Sequence, residues 1–163
     1  MTEKINLYLA HPILYRHLIR DWELGFEERF PNVNLDNPFY DSGDSNEEEA
    51  VNILDSTGQS IIYTPEFSRE LVERDLEAIR RNKGVIAYLG ERLSIGTNME
   101  IAYAKAVYHK PVFIIAPETT KHKEFPLANH PWIQVHSNQR FNSFKEFENF
   151  VEKGGLEDAI YKK

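Results

Sequence analysis

The chain contains no cysteine, which removes disulfides, thiolate metal sites and a cysteine nucleophile from consideration. Long hydrophobic runs are missing too. The longest apolar stretches fall far short of the roughly 20 residues that a membrane-spanning helix needs. There is no basic stripe either: the 19 Lys and Arg are interleaved with 26 Asp and Glu, for a formal net charge of -7. Nothing of that kind can track a phosphate backbone, so a nucleic acid polymer is excluded as a partner. The opening MTEKINLYLAHP lacks a signal-peptide cleavage pattern, and the expected location is the cytoplasm. His11, His17, His109, His122, His130 and His136 form no i, i+4 pair with a partnering Glu, so no metal site and no cofactor is read from them.

What is present is the composition of an ordinary soluble protein, 41% hydrophobic and 28% charged, with 10 Phe and 8 Tyr among 163 residues. That length suits one domain over 1–163 with a core of its own. INLYLA (Ile5 to Ala10) reads as a buried strand running into His11-Pro12. Leu14, Leu18, Trp22, Leu24 and Phe26 stand among charges from Ile13 to Phe30, which predicts an amphipathic helix. NVNLDNPFYD (Asn32 to Asp41) predicts a second strand. The acidic DSGDSNEEEAVNILDSTGQS predicts a loop with one helical turn over Glu47 to Leu54, and its acids are out of register for a calcium loop.

EFSRELVERDLEAIRRN after Thr64-Pro65 predicts a helix, KGVIAYLG (Lys83 to Gly90) a buried strand, and PVFIIAP another. WIQVHS is expected as the last strand, and FKEFENFVEKGG as a closing helix with a Gly stop. Apolar strands separated by helices predict an α/β fold, a doubly wound (flavodoxin- or Rossmann-like) parallel sheet of about five strands with helices on both faces. Ligands in such sheets bind beyond the carboxyl ends of the strands, which here means the loops after Ala10, Gly90 and Pro117.

Two carboxylates interrupt apolar helical faces. On the predicted helix from Phe67 to Asn82, Phe67, Leu71, Val72, Leu76, Ala78 and Ile79 share one half of the wheel. Asp75 lies in the middle of that half, in line with Ser68 and Asn82. It either ties down loop amides or borders a cavity. Glu100 shares a side with Tyr103, Ala104 and Val107. Thr97-x-x-Glu100 fits a capping box; the alternative is a carboxylate kept ionised beside a helix N-terminus and used as a nucleophile. A pair of this kind is what glycoside chemistry employs.

With Asp75, GVIAYLG and SIGTNMEIAYAKAVYHKPVFIIAP together, the sequence resembles the nucleoside 2-deoxyribosyltransferase family, and LYLAHP resembles that family's first strand and substrate loop. The resemblance covers Ile5 to Pro117. It implies Glu100 as the nucleophile of a covalent deoxyribosyl-enzyme, Asp75 near sugar and base, and Tyr8 orienting the nucleophile, with His11, Asn37, Ser94, Gly96 and Thr97 as substrate contacts. It also implies a nucleoside or nucleotide and a free nucleobase as small-molecule partners. A homo-oligomer with shared active sites is implied as well, into which Asn129, His130 or the C-terminal AIYKK reaches.

Ser94 stands where the transferases carry an Asp. In this it is similar to the 2'-deoxynucleoside 5'-phosphate N-hydrolase branch, whose Gly-Ser-Arg loop is nevertheless replaced here by His11-Pro12-Ile13-Leu14, leaving His11 as a substitute cation or donor. Ala102 replaces a usual Gly. Three functions follow: sugar transfer between bases, hydrolysis of a monophosphate, and non-catalytic nucleotide sensing. A docking role for the closing helix is a fourth, structural reading.

Overall fold

The computed structural model describes residues 3–41, 45–60, 62–117 and 127–162, with the side chains of 45–49 left aside. Five strands form one parallel sheet: β1 (Ile5–Ala10), β2 (Val33–Asp36), β3 (Gly84–Tyr88), β4 (Val112–Ile115) and β5 (Gln139–Phe141), in the order β2-β1-β3-β4-β5. Leu7 pairs with Leu35 on one side and with Gly84 on the other. The strand order reverses between β1 and β3, and this switch point opens a crevice at the carboxyl ends of those two strands.

Strand side chains alternate between two cores. Leu7, Leu9, Ile86, Phe113 and Ile115 face α1 (Arg16–Arg29), α6 (Phe144–Glu152) and α7 (Gly155–Tyr161). Tyr8, Ala10, Val85, Ala87 and Ile114 face α3 (Pro65–Arg81) and α4 (Ile95–Ala102). Both faces are covered, which is why the central strands are apolar at consecutive positions. Phe147, Phe150 and Phe144 pack into the first core, with Phe147 fully buried, so the closing helix is a core element and not a docking one. Gly154 ends it at φ 78°, a left-handed conformation that glycine adopts without strain.

Four sequence expectations are corrected. The acidic segment is not a loop with one turn but a helix, α2 (Ser45–Thr57), anchored by buried Ala50 and Val51; residues 42–44 lie outside the described residues. WIQVHS is not a strand: it begins α5 (Pro131–Val135), with Pro131 in the first turn and His130 capping it through an acceptor for the Trp132 amide. The last strand is instead Gln139–Phe141. On α1 the buried line is Ile19, Glu23 and Phe26, while Leu14, Leu18 and Leu24 are exposed. Val72 is likewise exposed on α3.

Candidate active site

A cavity of about 180 Å³ occupies the switch-point crevice. Its floor and walls come from the loop after β1 (His11, Pro12, Ile13), from Pro38 and Phe39 after β2, from α3 (Phe67, Leu71, Asp75) and from α4 (Gly96, Thr97, Glu100) with Ser94. Asp75 and Glu100 therefore meet at one cavity.

The start of α4 settles how Glu100 is used locally. Ser94 is the N-cap, its Oγ accepting from the Thr97 amide at 3.4 Å and from Thr97 Oγ1 at 3.1 Å. Glu100 is the sixth residue of the helix. It does not turn back to the first amides, so the Thr97-x-x-Glu100 capping box is absent and Ser94-x-x-Thr97 takes its place. Glu100 Oε1 instead accepts from the Tyr8 hydroxyl at 2.7 Å, a bond between α4 and the fully buried side chain of a β1 residue.

Burial pushes the Glu100 carboxyl up to about 8, with repulsion from Asp75 adding to it and the Tyr8 hydrogen bond and Arg74 opposing it. The expectation of a carboxylate ionised by a helix N-terminus is thus corrected. Glu100 lies beyond the first turn, where the helix dipole has faded, and desolvation wins. Burial thus favours the protonated form of Glu100 at neutral pH. Asp75 Oδ1 accepts from Arg74 Nη2 at 2.9 Å.

His11 lines the cavity, and burial lowers it to about 4. It is an uncharged ring, so it does not replace the missing cation of the hydrolase branch. Asn37 is buried behind His11 and does not line the cavity; its Oδ1 lies 3.1 Å from His11 Nε2. Tyr8 likewise sits behind Glu100. Gly96 lines the opening, where a Cβ would meet empty space. Asn129 and His130 are exposed at the start of α5, away from the cavity lining.

The apolar wall, in contrast, was not foreseen. Phe39 packs its ring 4.9 Å from His11, and Tyr63 stacks on Phe67 at 5.4 Å, with Leu71 alongside. Flat faces of this kind accept a heterocycle. Glu23 was also missed, although it stands between Ile19 and Phe26 at helical spacing.

No family model matches the chain, and no curated protein matches its sequence. Solved structures do match its fold. A 2-deoxyribosyltransferase from Bacillus psychrosaccharolyticus superimposes with a TM-score of 0.58 at 16% identity, covering 88% of this chain and 90% of that one. A CMP N-glycosidase from Clostridium botulinum does so at 0.50 and 21% identity, covering 91% and 98%. A conserved protein from Enterococcus faecalis V583 reaches 0.60 at 14% identity, covering 93% and 99%. The doubly wound α/β fold that the pattern of apolar strands and helices predicted is therefore the fold this chain shares with a deoxyribosyltransferase and an N-glycosidase.

Proposed function

We propose that the protein cleaves the N-glycosidic bond of a nucleoside through Glu100 and transfers the sugar to another base. The observation that carries this reading is the junction of Tyr8, Glu100 and Asp75 at one partly apolar cavity over the switch point.

The proton inventory is consistent. Before the reaction the carboxyl pair of Glu100 and Asp75 holds one proton. Attack of a Glu100 oxygen on the anomeric carbon forms a glycosyl ester, and the electrons of the C–N bond leave with the base. The departing base needs one proton, and the pair releases one, with Asp75 on the same wall to pass it. Acid and nucleoside thus become ester and free base, with atoms balanced. An incoming base reverses the steps, its nitrogen taking the anomeric carbon and its proton returning to the pair. Water in place of the base gives hydrolysis. The Tyr8 hydroxyl keeps the attacking carboxylate aimed.

A neutral nucleoside is favoured over a monophosphate. Among the described residues the cavity lining holds Asp75 and Glu100 but no Lys or Arg, and His11 is uncharged. A phosphate dianion there would face two acids without a counter-charge.

We also infer a homo-oligomer in the cytoplasm. Leu93 just before α4, Met99 on it and Trp132 on α5 are exposed around one apolar pocket, a larger apolar surface than scattered single residues provide. A second copy of this chain is its occupant. Among the described residues no helix is long and apolar enough to cross a membrane.

The test is a chromatographic assay of purified protein with deoxynucleosides and deoxynucleoside monophosphates, each with and without a free base, beside Glu100→Ala. A new nucleoside formed only when the acceptor is present supports transfer. Free base released without acceptor converts the reading to hydrolysis. Equal inertness of wild type and variant over the panel removes the catalytic reading in favour of sensing.

A further inference from the structure

Glu23 is fully buried on α1 between Ile19 and Phe26, and among the described residues its Oε1 has no hydrogen-bond partner. Such a group costs stability, so its presence is explained by what the other oxygen holds. Glu23 Oε2 accepts from Asn37 Nδ2 at 2.8 Å and lies 3.1 Å from Arg20 Nη1, one helical turn earlier. Arg20 Nη1 is 3.6 Å from Asp41 Oδ1, and Asp41 Oδ2 accepts from the Asn37 backbone amide at 3.1 Å, which closes a ring of four residues. The Arg20 guanidinium also lies over the Tyr40 ring, 4.9 Å from its centre.

Asn37 converts this ring into a hold on the cavity. Fully buried itself, it organises the turn after β2 with both of its oxygens. Its backbone carbonyl accepts from the Tyr40 amide at 3.1 Å and the Asp41 amide at 2.8 Å, and its Oδ1 accepts from the Phe39 amide at 3.2 Å. Reversing the side-chain amide would aim a carbonyl at the Glu23 carboxylate and an amino group at an N–H, so Glu23 also selects the orientation that binds Phe39. Pro38 and Phe39 line the cavity, and the Phe39 ring packs 4.9 Å from that of His11. A connecting turn is mobile unless its backbone is tied. Here the ties meet at Asn37, whose side chain is gripped from α1.

We propose that Glu23 and Arg20, neither of which lines the cavity, are positioning residues that act through Asn37 and Asp41 to hold Pro38 and Phe39 as the wall against which a flat base is bound. That the ligand carries a base rests on the nucleoside reading; the hold on the turn does not. Glu100, Asp75 and Tyr8 stand outside this ring, so loosening it should weaken binding and spare the chemical step.

Amide hydrogen exchange followed by NMR tests the hold directly. The amides of Phe39, Tyr40 and Asp41 should be protected in the wild-type protein and exchange about tenfold faster in Arg20→Met and Glu23→Leu, while those of β4 keep their rates. Glu23→Leu leaves the buried Asn37 amide without its acceptor; if that variant does not fold, Arg20→Met, which removes only the guanidinium, supplies the same comparison. Ser143→Ala, which removes the N-cap bond to the Glu146 amide on α6, serves as a remote destabilised control and should leave the three amides unchanged.

The kinetic readout is a split between KM and kcat. With 2'-deoxyadenosine and a free acceptor base, Arg20→Met should raise KM about tenfold with kcat within about twofold of wild type. Glu23→Gln keeps an acceptor for Asn37 but no charge for Arg20, and should raise KM about threefold. Ser143→Ala should not change it. Unaltered exchange at the three amides in Arg20→Met overturns the proposal whatever the enzyme assay returns, and a fall in kcat at unchanged KM overturns it as well. Absence of turnover in every variant, with exchange at the turn responding as expected, overturns only the nucleoside reading.

Discussion

The Tyr8 hydroxyl donates to Glu100 Oε1 at 2.7 Å, joining the first strand of the sheet to a helix 92 residues later in the chain. The bond lowers the Glu100 carboxyl while burial and Asp75 raise it to about 8, so these opposing influences set the pH at which the pair loses its proton.

The pH–rate profile of the wild-type enzyme should therefore fall as pH rises through about 8, because kcat/KM follows the fraction of free enzyme whose carboxyl pair still holds the proton that the departing base takes. Tyr8→Phe removes the opposing hydrogen bond, so the limb should move to higher pH. A fall in kcat of about tenfold or more at pH 7 should accompany it.

Asp75→Asn should displace the same limb in the other direction. Removing its charge removes a cause of the raised Glu100 carboxyl, and the limb moves to lower pH. Rate should nevertheless fall, by about 10²- to 10⁴-fold if Asp75 carries the proton to the departing base. Opposite shifts in Tyr8→Phe and Asp75→Asn are the signature to look for in parallel profiles.

Thermal stability should respond to the same groups. A carboxyl raised in the folded state contributes stability that is complete below its unfolded value and lost as pH rises through the folded one. For Glu100 the window runs from 4.5 to about 8, and for Glu23, also raised by burial, from 4.5 to about 7. Glu100→Gln should leave the midpoint near pH 5 little changed and raise it by roughly 2–4 °C or more near pH 8. His11 acts in the reverse sense: lowered from 6.5 to about 4, it contributes stability above 6.5 that is lost as pH falls through that window.

Ser94→Ala should cost about 1 kcal/mol through the lost N-cap of α4. Calorimetry would show a midpoint lower by roughly 2–4 °C. Ser94→Asp retains a cap and should recover it. If Ser94 also touched a phosphate, Ser94→Ala would weaken monophosphate binding selectively; the cationless lining argues for an equal, small effect on nucleoside and monophosphate.

Gly90→Ala tests the packing under the site. A Cβ there would collide with the Tyr15 ring, whose hydroxyl accepts from the Glu91 amide at 3.0 Å. Overpacking of this kind costs about 1–3 kcal/mol, and urea unfolding should show it without a change in slope.

Much of this arrangement was legible from residue order, because periodicity exposes what is out of place. Asp75 and Glu100 stood out as acids on apolar faces, and both line the cavity. The sheet was legible because its central strands are buried on both sides. Local competition hid the rest. The capping-box pattern at Thr97 was outbid by Ser94 one turn earlier, and Pro131 turned an apolar run that reads as strand into a helix. The acidic stretch before Gly58 concealed a helix whose anchors, Ala50 and Val51, are two small residues among charges. Glu23 escaped because Leu14, Leu18 and Leu24 drew the apolar face of α1 to the wrong side.

Glu23 Oε1, buried and without a hydrogen-bond partner among the described residues, also bears on how the protein responds to laboratory selection. A screen that rewards only soluble yield or heat resistance should repeatedly replace this buried acid with glutamine, which sheds the buried charge and still accepts from the buried Asn37 amide. A screen that rewards product formation should keep the acid and gather its gains elsewhere. The two kinds of selection would then diverge at a residue that lies outside the cavity altogether, and position 23 would serve as a marker of which pressure a lineage had experienced.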